Sequence, residues 1–107
     1  MKVKFGKNLT DKVPPAPEYF VVQNGTTAYR VMELAKERRH PCYNFTTTLS
    51  SWGRSIESIC GVYRNHKLKR YWTIRLDPGW KSAPYGIDTL KPTDGQCLVF
   101  FYKQFNC

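Results

Sequence analysis

A chain of 107 residues is long enough for one modest hydrophobic core and no second one. Its 41% hydrophobic and 15% aromatic content excludes disorder along the whole chain, and no apolar run approaches the roughly 18 residues that a membrane-crossing helix needs. The formal net charge of +9, from 17 Lys+Arg against 8 Asp+Glu, invites a polyanion as partner. The cations are spread over Lys2, Lys4, Lys7 and Lys12, then Lys36, Arg38 and Arg39, then Arg64, Lys67, Lys69 and Arg70. They match no zinc-finger, helix-turn-helix or RNP-type pattern, so nucleic acid is disfavoured as the partner.

Met1 to Lys7 alternates apolar and basic residues, the period-two signature of a half-buried strand. Asp11 to Pro17 is a stiff connector, because its prolines cannot donate to a ladder. Glu18-Tyr-Phe-Val-Val-Gln23 is predicted as a second strand, with Asn24-Gly25 as a turn and Thr26 or Thr27 as the cap of a helix. Ala28 to Arg39 is the one predicted helix: Ala28, Val31, Met32 and Ala35 recur at helical spacing, and Arg30, Glu33, Lys36 and Glu37 lie off that stripe. Arg38, Arg39 and His40 suit its C-terminal dipole end, and Pro41 stops it. His40 therefore reads as a helix-end residue rather than a ligand.

Phe45 to Leu49 is a strand of β-branched, aromatic and aliphatic residues, broken at Ser50-Ser51-Trp52-Gly53 and resumed through Ile56 and Ile59 to Gly61. Gly61 to Arg70 is a basic exposed loop or hairpin. Tyr71 to Leu76 forms the next strand and ends in a second indole-bearing loop, Asp77-Pro78-Gly79-Trp80. After the turn Lys91-Pro92-Thr93-Asp94-Gly95, the run Gln96-Cys-Leu-Val-Phe-Phe-Tyr102 is apolar enough to be a central strand. Two loops rich in Ser, Gly and indole suggest a surface for something flat and partly apolar; a turn that merely carries a surface Trp is the plainer alternative for each.

Cys42, Cys60, Cys97 and Cys107 allow three pairings, and their spacing with His40 and His66 resembles no zinc site. Two structural disulfides are expected, each contributing about 2–4 kcal/mol by restricting the unfolded chain; free thiols in a cytosolic protein are the alternative. Three sequons, at Asn8, Asn24 and Asn44, together with the even cysteine count favour a secreted, extracellular glycoprotein. No signal peptide leads the polar start Met1-Lys2-Val3-Lys4, which reads as the beginning of a mature chain.

The order strand, strand, helix, strands, apolar final strand implies an α+β fold, β-grasp-like, with a mostly antiparallel sheet packed on a single helix. In that arrangement the final strand lies beside the first and parallel to it, and ends at the same edge as the helix. That places Cys42 with Cys107 and leaves Cys60 for Cys97.

Val22-Gln-Asn-Gly25-Thr26-Thr27, Thr48-Leu-Ser-Ser-Trp52-Gly53, Ser58-Ile59-x-Gly61, Tyr71-Trp72, Gly86-Ile87 and Lys91-Pro92-x-Asp94-Gly95 occur in an order that resembles the C-terminal β domain of the vertebrate cobalamin carriers. The resemblance, over roughly residues 18–105, is to the transcobalamin and intrinsic factor family. It implies one transcobalamin-like β domain over residues 1–107, with 1–17 as an N-terminal strand and Pro-rich connector. It also implies a surface that closes over one side of cobalamin or a related corrinoid. Mapped here, Trp52, Trp72, Trp80 and Tyr85 would give flat apolar contact, and Thr48, Ser50 and Ser51 hydroxyls for the ligand's amide side chains. Trp72, set within a strand, reads equally as core. His66 is a weak cobalt-ligand candidate, and a solvated loop His is the plainer reading.

The helical domain that supplies most of the pocket in the carriers has no counterpart in this sequence, and the four cysteines also depart from their pattern. One-sided contact implies weaker binding. The competing reading keeps the fold without the ligand, as an extracellular signalling, defence or surface-active protein with a protein receptor or polyanion partner. Exposed loop aromatics would favour corrinoid binding; their burial beside a contiguous Lys/Arg patch would favour the second. No nucleophile–base constellation is visible, which argues against an enzyme.

Overall fold

The computed structural model describes residues 1–7, 9–10, 12–14, 17, 19, 21–38, 43–51, 53–83, 86–93 and 95–105. One helix and two sheets organise them. The four-stranded sheet runs in the order β1 (Lys2–Phe5), β7 (Cys97–Gln104), β5 (Arg70–Asp77), β6 (Lys81–Ser82). The three-stranded sheet runs β2 (Phe45–Ser50), β3 (Gly53–Ile59), β4 (Val62–Tyr63).

The apolar C-terminal run behaves as its composition demands. β7 lies between β1 and β5, parallel to the first and antiparallel to the second, so Leu98, Val99, Phe100 and Tyr102 are all buried. The parallel partnership of first and last strands is the one that the order of elements implied. The strands nevertheless divide into two sheets, where the sequence suggested one. Between β4 and β5 a side chain spans the gap in place of a ladder: the Trp72 indole N–H donates to the Val62 carbonyl at 2.9 Å.

Helix α1 (Ala28–Glu37) buries the predicted stripe of Ala28, Val31, Met32 and Ala35. Thr27 is the N-cap, accepting a hydrogen bond from the Arg30 N–H at 3.3 Å. The helical stretch stops at Glu37 with Arg38 as its cap, two residues before Arg39; residues 39–42 lie outside the described set.

Two expectations fail. Of the strand expected at Glu18–Gln23, the described residues Tyr19 and Val21–Gln23 belong to no strand, and Tyr19 is 72% exposed; Glu18 and Phe20 lie outside the described residues. Residues with β propensity make a strand only beside a partner edge, and the described residues of this stretch pair with none. Cys60 does not bridge Cys97 either: Cys60 is disulfide-bonded while Cys97 carries a free thiol. Cys60 sits in a tight turn closing β3 onto β4, at φ 58 and followed by Gly61 at φ 72, and Cys97 starts β7 in the other sheet. Cys42 and Cys107 lie outside the described residues, as does the pairing expected for them.

Candidate ligand-binding cleft

The first N–H groups of a helix have no partner within it. Here the Ala28 and Tyr29 N–H groups donate to the carbonyls of Leu90, at 2.8 Å, and Ile87, at 3.0 Å. Ile87 and Leu90 are buried, so the 86–90 segment is fastened at both ends to the helix start. Between them Asp88 points toward β3. Its carboxylate accepts from the Arg54 backbone N–H at 2.6 Å and from the guanidinium at 2.5 Å, while that guanidinium lies 4.1 Å from the Tyr29 ring centre.

One buckle thus joins helix, 86–90 segment and β3. The Arg54 backbone N–H, and then its side chain, hold the Asp88 carboxyl below its usual range. Gly53 has to be small for the same reason: its φ is +104, and a Cβ there would stand 2.8 Å from Asp88 Oδ2.

Beside the buckle a cleft of about 380 Å³ separates the two sheets. Gly53–Ile56 of β3 form one wall, Tyr71, Trp72 and Ile74 of β5 the other, and Gly86 and Ile87 close an end. β5 has β7 along one side; on the other, β6 pairs only with Arg75 and Leu76, and Ala83 donates to the Ile74 carbonyl. The edge at Tyr71–Thr73 therefore faces the cleft without a strand partner among the described residues. Arg64 reaches across from the β4 side, donating to Ser55 Oγ at 3.1 Å and Thr48 Oγ1 at 3.2 Å. The arrangement offers two guanidinium groups, an open strand edge and apolar floor residues. It suits a ligand with several amide carbonyls around an apolar body.

The structure sorts the predicted residues by distance from this cleft. Trp72 lines it but is 9% exposed, packed against Phe5 and Tyr102, so most of its indole is core. Thr48 lies under Arg64. Ser51 is exposed in the hairpin turn, and Ser50 pairs with Gly53. Trp80 is elsewhere: its ring meets Phe101 edge-on at 5.4 Å, with Lys4 Nζ at 5.0 Å and Arg75 Cζ at 6.0 Å. Trp52 and Tyr85 lie outside the described residues.

His66 Nδ1 is 3.1 Å from the Tyr71 hydroxyl, on an exposed turn. Among the described residues no group of three His, Cys, Asp or Glu side chains gathers as a metal-ligand set. Asn24 and Asn44 are exposed, and Asn8 lies outside the described set.

Sequence reasoning missed Arg54, Arg64 and Asp88, the charged groups that shape the cleft. Arg54 and Asp88 are 34 residues apart, so no local pattern joins them. The one visible signal was Gly86-Ile87, which marks the segment but not its partner.

These features define an α+β domain with a cleft between two sheets. No family model matches the chain. The cobalamin binding intrinsic factor of Rattus norvegicus is 39% identical to it over 51 residues, 48% of this chain and 12% of the relative. Transcobalamin-1 of Sus scrofa is 37% identical over 49 residues, 46% of this chain and 12% of the relative. The chain therefore spans about an eighth of the length of these curated relatives. Haptocorrin, solved in complex with Cbi, superposes with a TM-score of 0.76 at 24% identity, over 98% of this chain and 25% of the haptocorrin chain. In fold, and over about half of its sequence, this chain is similar to a part of these proteins.

Proposed function

We propose that this domain binds cobalamin or a related corrinoid, with the cleft between the sheets covering one side of the ligand. The convergence of the Gly53 hairpin end, Trp72 and the Gly86–Ile87 segment on one 380 Å³ cleft carries the reading, since these are the segments that resemble the carriers. It is supported by sequence likeness to proteins named as cobalamin binding and by a shared fold with a cobinamide-bound haptocorrin. Arg54, Arg64 and the open β5 edge supply donors for amide carbonyls, and Ile56, Ile74 and Ile87 supply apolar contact. A binding role, rather than catalysis, fits this donor set.

We read residues 1–107 as one such domain. Its topology is β-grasp-like on the strength of the parallel β1–β7 pair. We place it outside the cell, because the bonded Cys60 suits an oxidising compartment and Asn24 and Asn44 stand exposed as sequons. The test is a titration with cyanocobalamin and cobinamide, followed by calorimetry and the corrin absorbance bands. Saturable heat with one ligand per chain supports the assignment; no heat and no band shift at high micromolar ligand sinks it.

A second reading, an extracellular interaction protein that keeps the fold without the ligand, is favoured by the aromatics themselves. Trp72 is largely buried and Trp80 sits among cations, so neither is a free platform for a corrin ring.

A further inference from the structure

The face of the four-stranded sheet that points away from the core is a basic surface built by strand register. Side chains of paired residues emerge on the same side of a sheet. Lys2, Val99, Arg75 and Ser82 are register partners in one row, and Lys4, Phe101 and Thr73 in the next. Lys103 and Tyr71 form a third. The alternate positions, Val3, Leu98, Phe100, Tyr102, Trp72 and Leu76, belong to the buried core cluster, which fixes the direction of both sets; Val99, in the first outer row, is buried too but outside that cluster.

Trp80 folds back over this face onto Phe101, with Lys4 and Arg75 against its ring. Lys103 Nζ likewise lies 5.0 Å from the Phe105 ring centre. Rings rather than carboxylates hold these cations, and none of Lys2, Lys4, Arg75 and Lys103 has an ion pair among the described residues. Arg75 Nε is shielded from water and has no acceptor among the described residues. The one described carboxylate in these rows, Asp77, is at the end beside Cys97 and accepts from the Trp80 N–H at 3.2 Å.

Strand spacings of about 4.8 Å and two-residue steps of about 6.6 Å put neighbouring cations roughly 7–10 Å apart. That is about one Debye length at physiological salt, so their fields add. The charges are spread along the sheet, and of the four only Lys103 lines a hollow, beside Lys7, which suits a chain of repeated anionic groups better than one small anion.

We propose that this outer face binds a linear sulfated polysaccharide of the heparin class. Two observations select it over single-stranded nucleic acid. Lys4 and Arg75 already lie 5.0 and 6.0 Å from the centre of the Trp80 ring, so a base stacking there would have to displace them. The disulfide at Cys60 suits an oxidising, extracellular setting, where such polysaccharides occur. The surface lies apart from the cleft, so the inference stands whether or not a corrinoid binds.

The test measures affinity for immobilised heparin across a salt series, with single-stranded DNA of matched charge as competitor. Lys4→Gln/Arg75→Gln/Lys103→Gln is compared with Lys36→Gln/Lys67→Gln/Lys91→Gln, which removes equal charge elsewhere. Lys2→Gln/Lys4→Gln/Lys103→Gln keeps Arg75 on Trp80, should the first set perturb folding. At about 0.15 M salt the face variants lose roughly tenfold or more in affinity and show a shallower salt dependence, while the control set stays within about threefold of the parent. Equal losses in face and control sets would overturn the proposal, because net charge alone would then explain binding. DNA that outcompetes heparin, with its binding abolished in Trp80→Ala, would overturn it in favour of base stacking.

Discussion

The cleft and the outer face share strand β5, yet they are built in opposite ways. The cleft depends on ties across sequence: Arg54 to Asp88, Arg64 to Thr48 and Ser55, the helix start to Ile87 and Leu90. The outer face depends only on alternation along β1, β5 and β7, which puts Lys2, Lys4, Arg75 and Lys103 on one side of the sheet. A site made of long-range ties is lost when one tie breaks; a face made by alternation survives as long as the sheet does. Variants that separate the two are the way to test this contrast.

The largest effect is expected at Trp72, where core and cleft meet. Trp72→Ala removes a 9% exposed indole and strands the Val62 carbonyl, so denaturant unfolding should show a loss of about 3–5 kcal/mol. A loss under about 1 kcal/mol would mean that Trp72 is not the packing bridge between the sheets. Next comes Gly53→Ala, which forces an unfavourable φ of +104 and brings a Cβ to 2.8 Å from Asp88 Oδ2. About 1–3 kcal/mol should be lost, together with corrinoid binding, while heparin retention by the folded protein is unchanged.

Asp88→Asn should show its effect in the pH dependence. Because Arg54 depresses the folded-state pKa of Asp88 below its ordinary 3.8, the unfolded chain takes up this proton first as pH falls. The contribution is present above about pH 4 and drains away as pH drops through the depressed value. Urea midpoints should therefore fall less steeply across that window in the variant. Parallel acid limbs would show that the pair adds nothing measurable, as exposed ion pairs often do. The smallest effect is expected for the outer-face substitutions of Lys4 and Lys103, each shifting stability by no more than about 0.5 kcal/mol in thermal unfolding.

Legibility in the sequence divides along the same line. Alternation exposed β1, the apolar run exposed β7 as a central strand, and the 3.6-residue stripe with Thr27 before it exposed the helix. Tyr19–Val22 misled because its residues favour strands, while the partner edge that a strand requires is a tertiary fact. A one-sheet topology pairs Cys60 with Cys97, whereas the two-sheet arrangement puts Cys60 in the β3–β4 turn and Cys97 on the other sheet. An indole in a turn, as at Trp80, says nothing about which face it folds onto, and here it lies against Phe101, away from the cleft. Arg54 and Asp88 left no trace, since neither residue has a local pattern and only the fold brings them together.

The most direct test of the central claim is a calorimetric titration of cobinamide into the parent protein, Ser55→Tyr and Trp80→Ala. Ser55 is an exposed cleft residue, so a bulky ring there should obstruct the ligand without unfolding the sheet. The cleft account predicts saturable binding to the parent, weakened about tenfold or more in Ser55→Tyr and unchanged in Trp80→Ala. Binding that survives Ser55→Tyr but fails in Trp80→Ala would contradict it and move the ligand to the other side of the sheet.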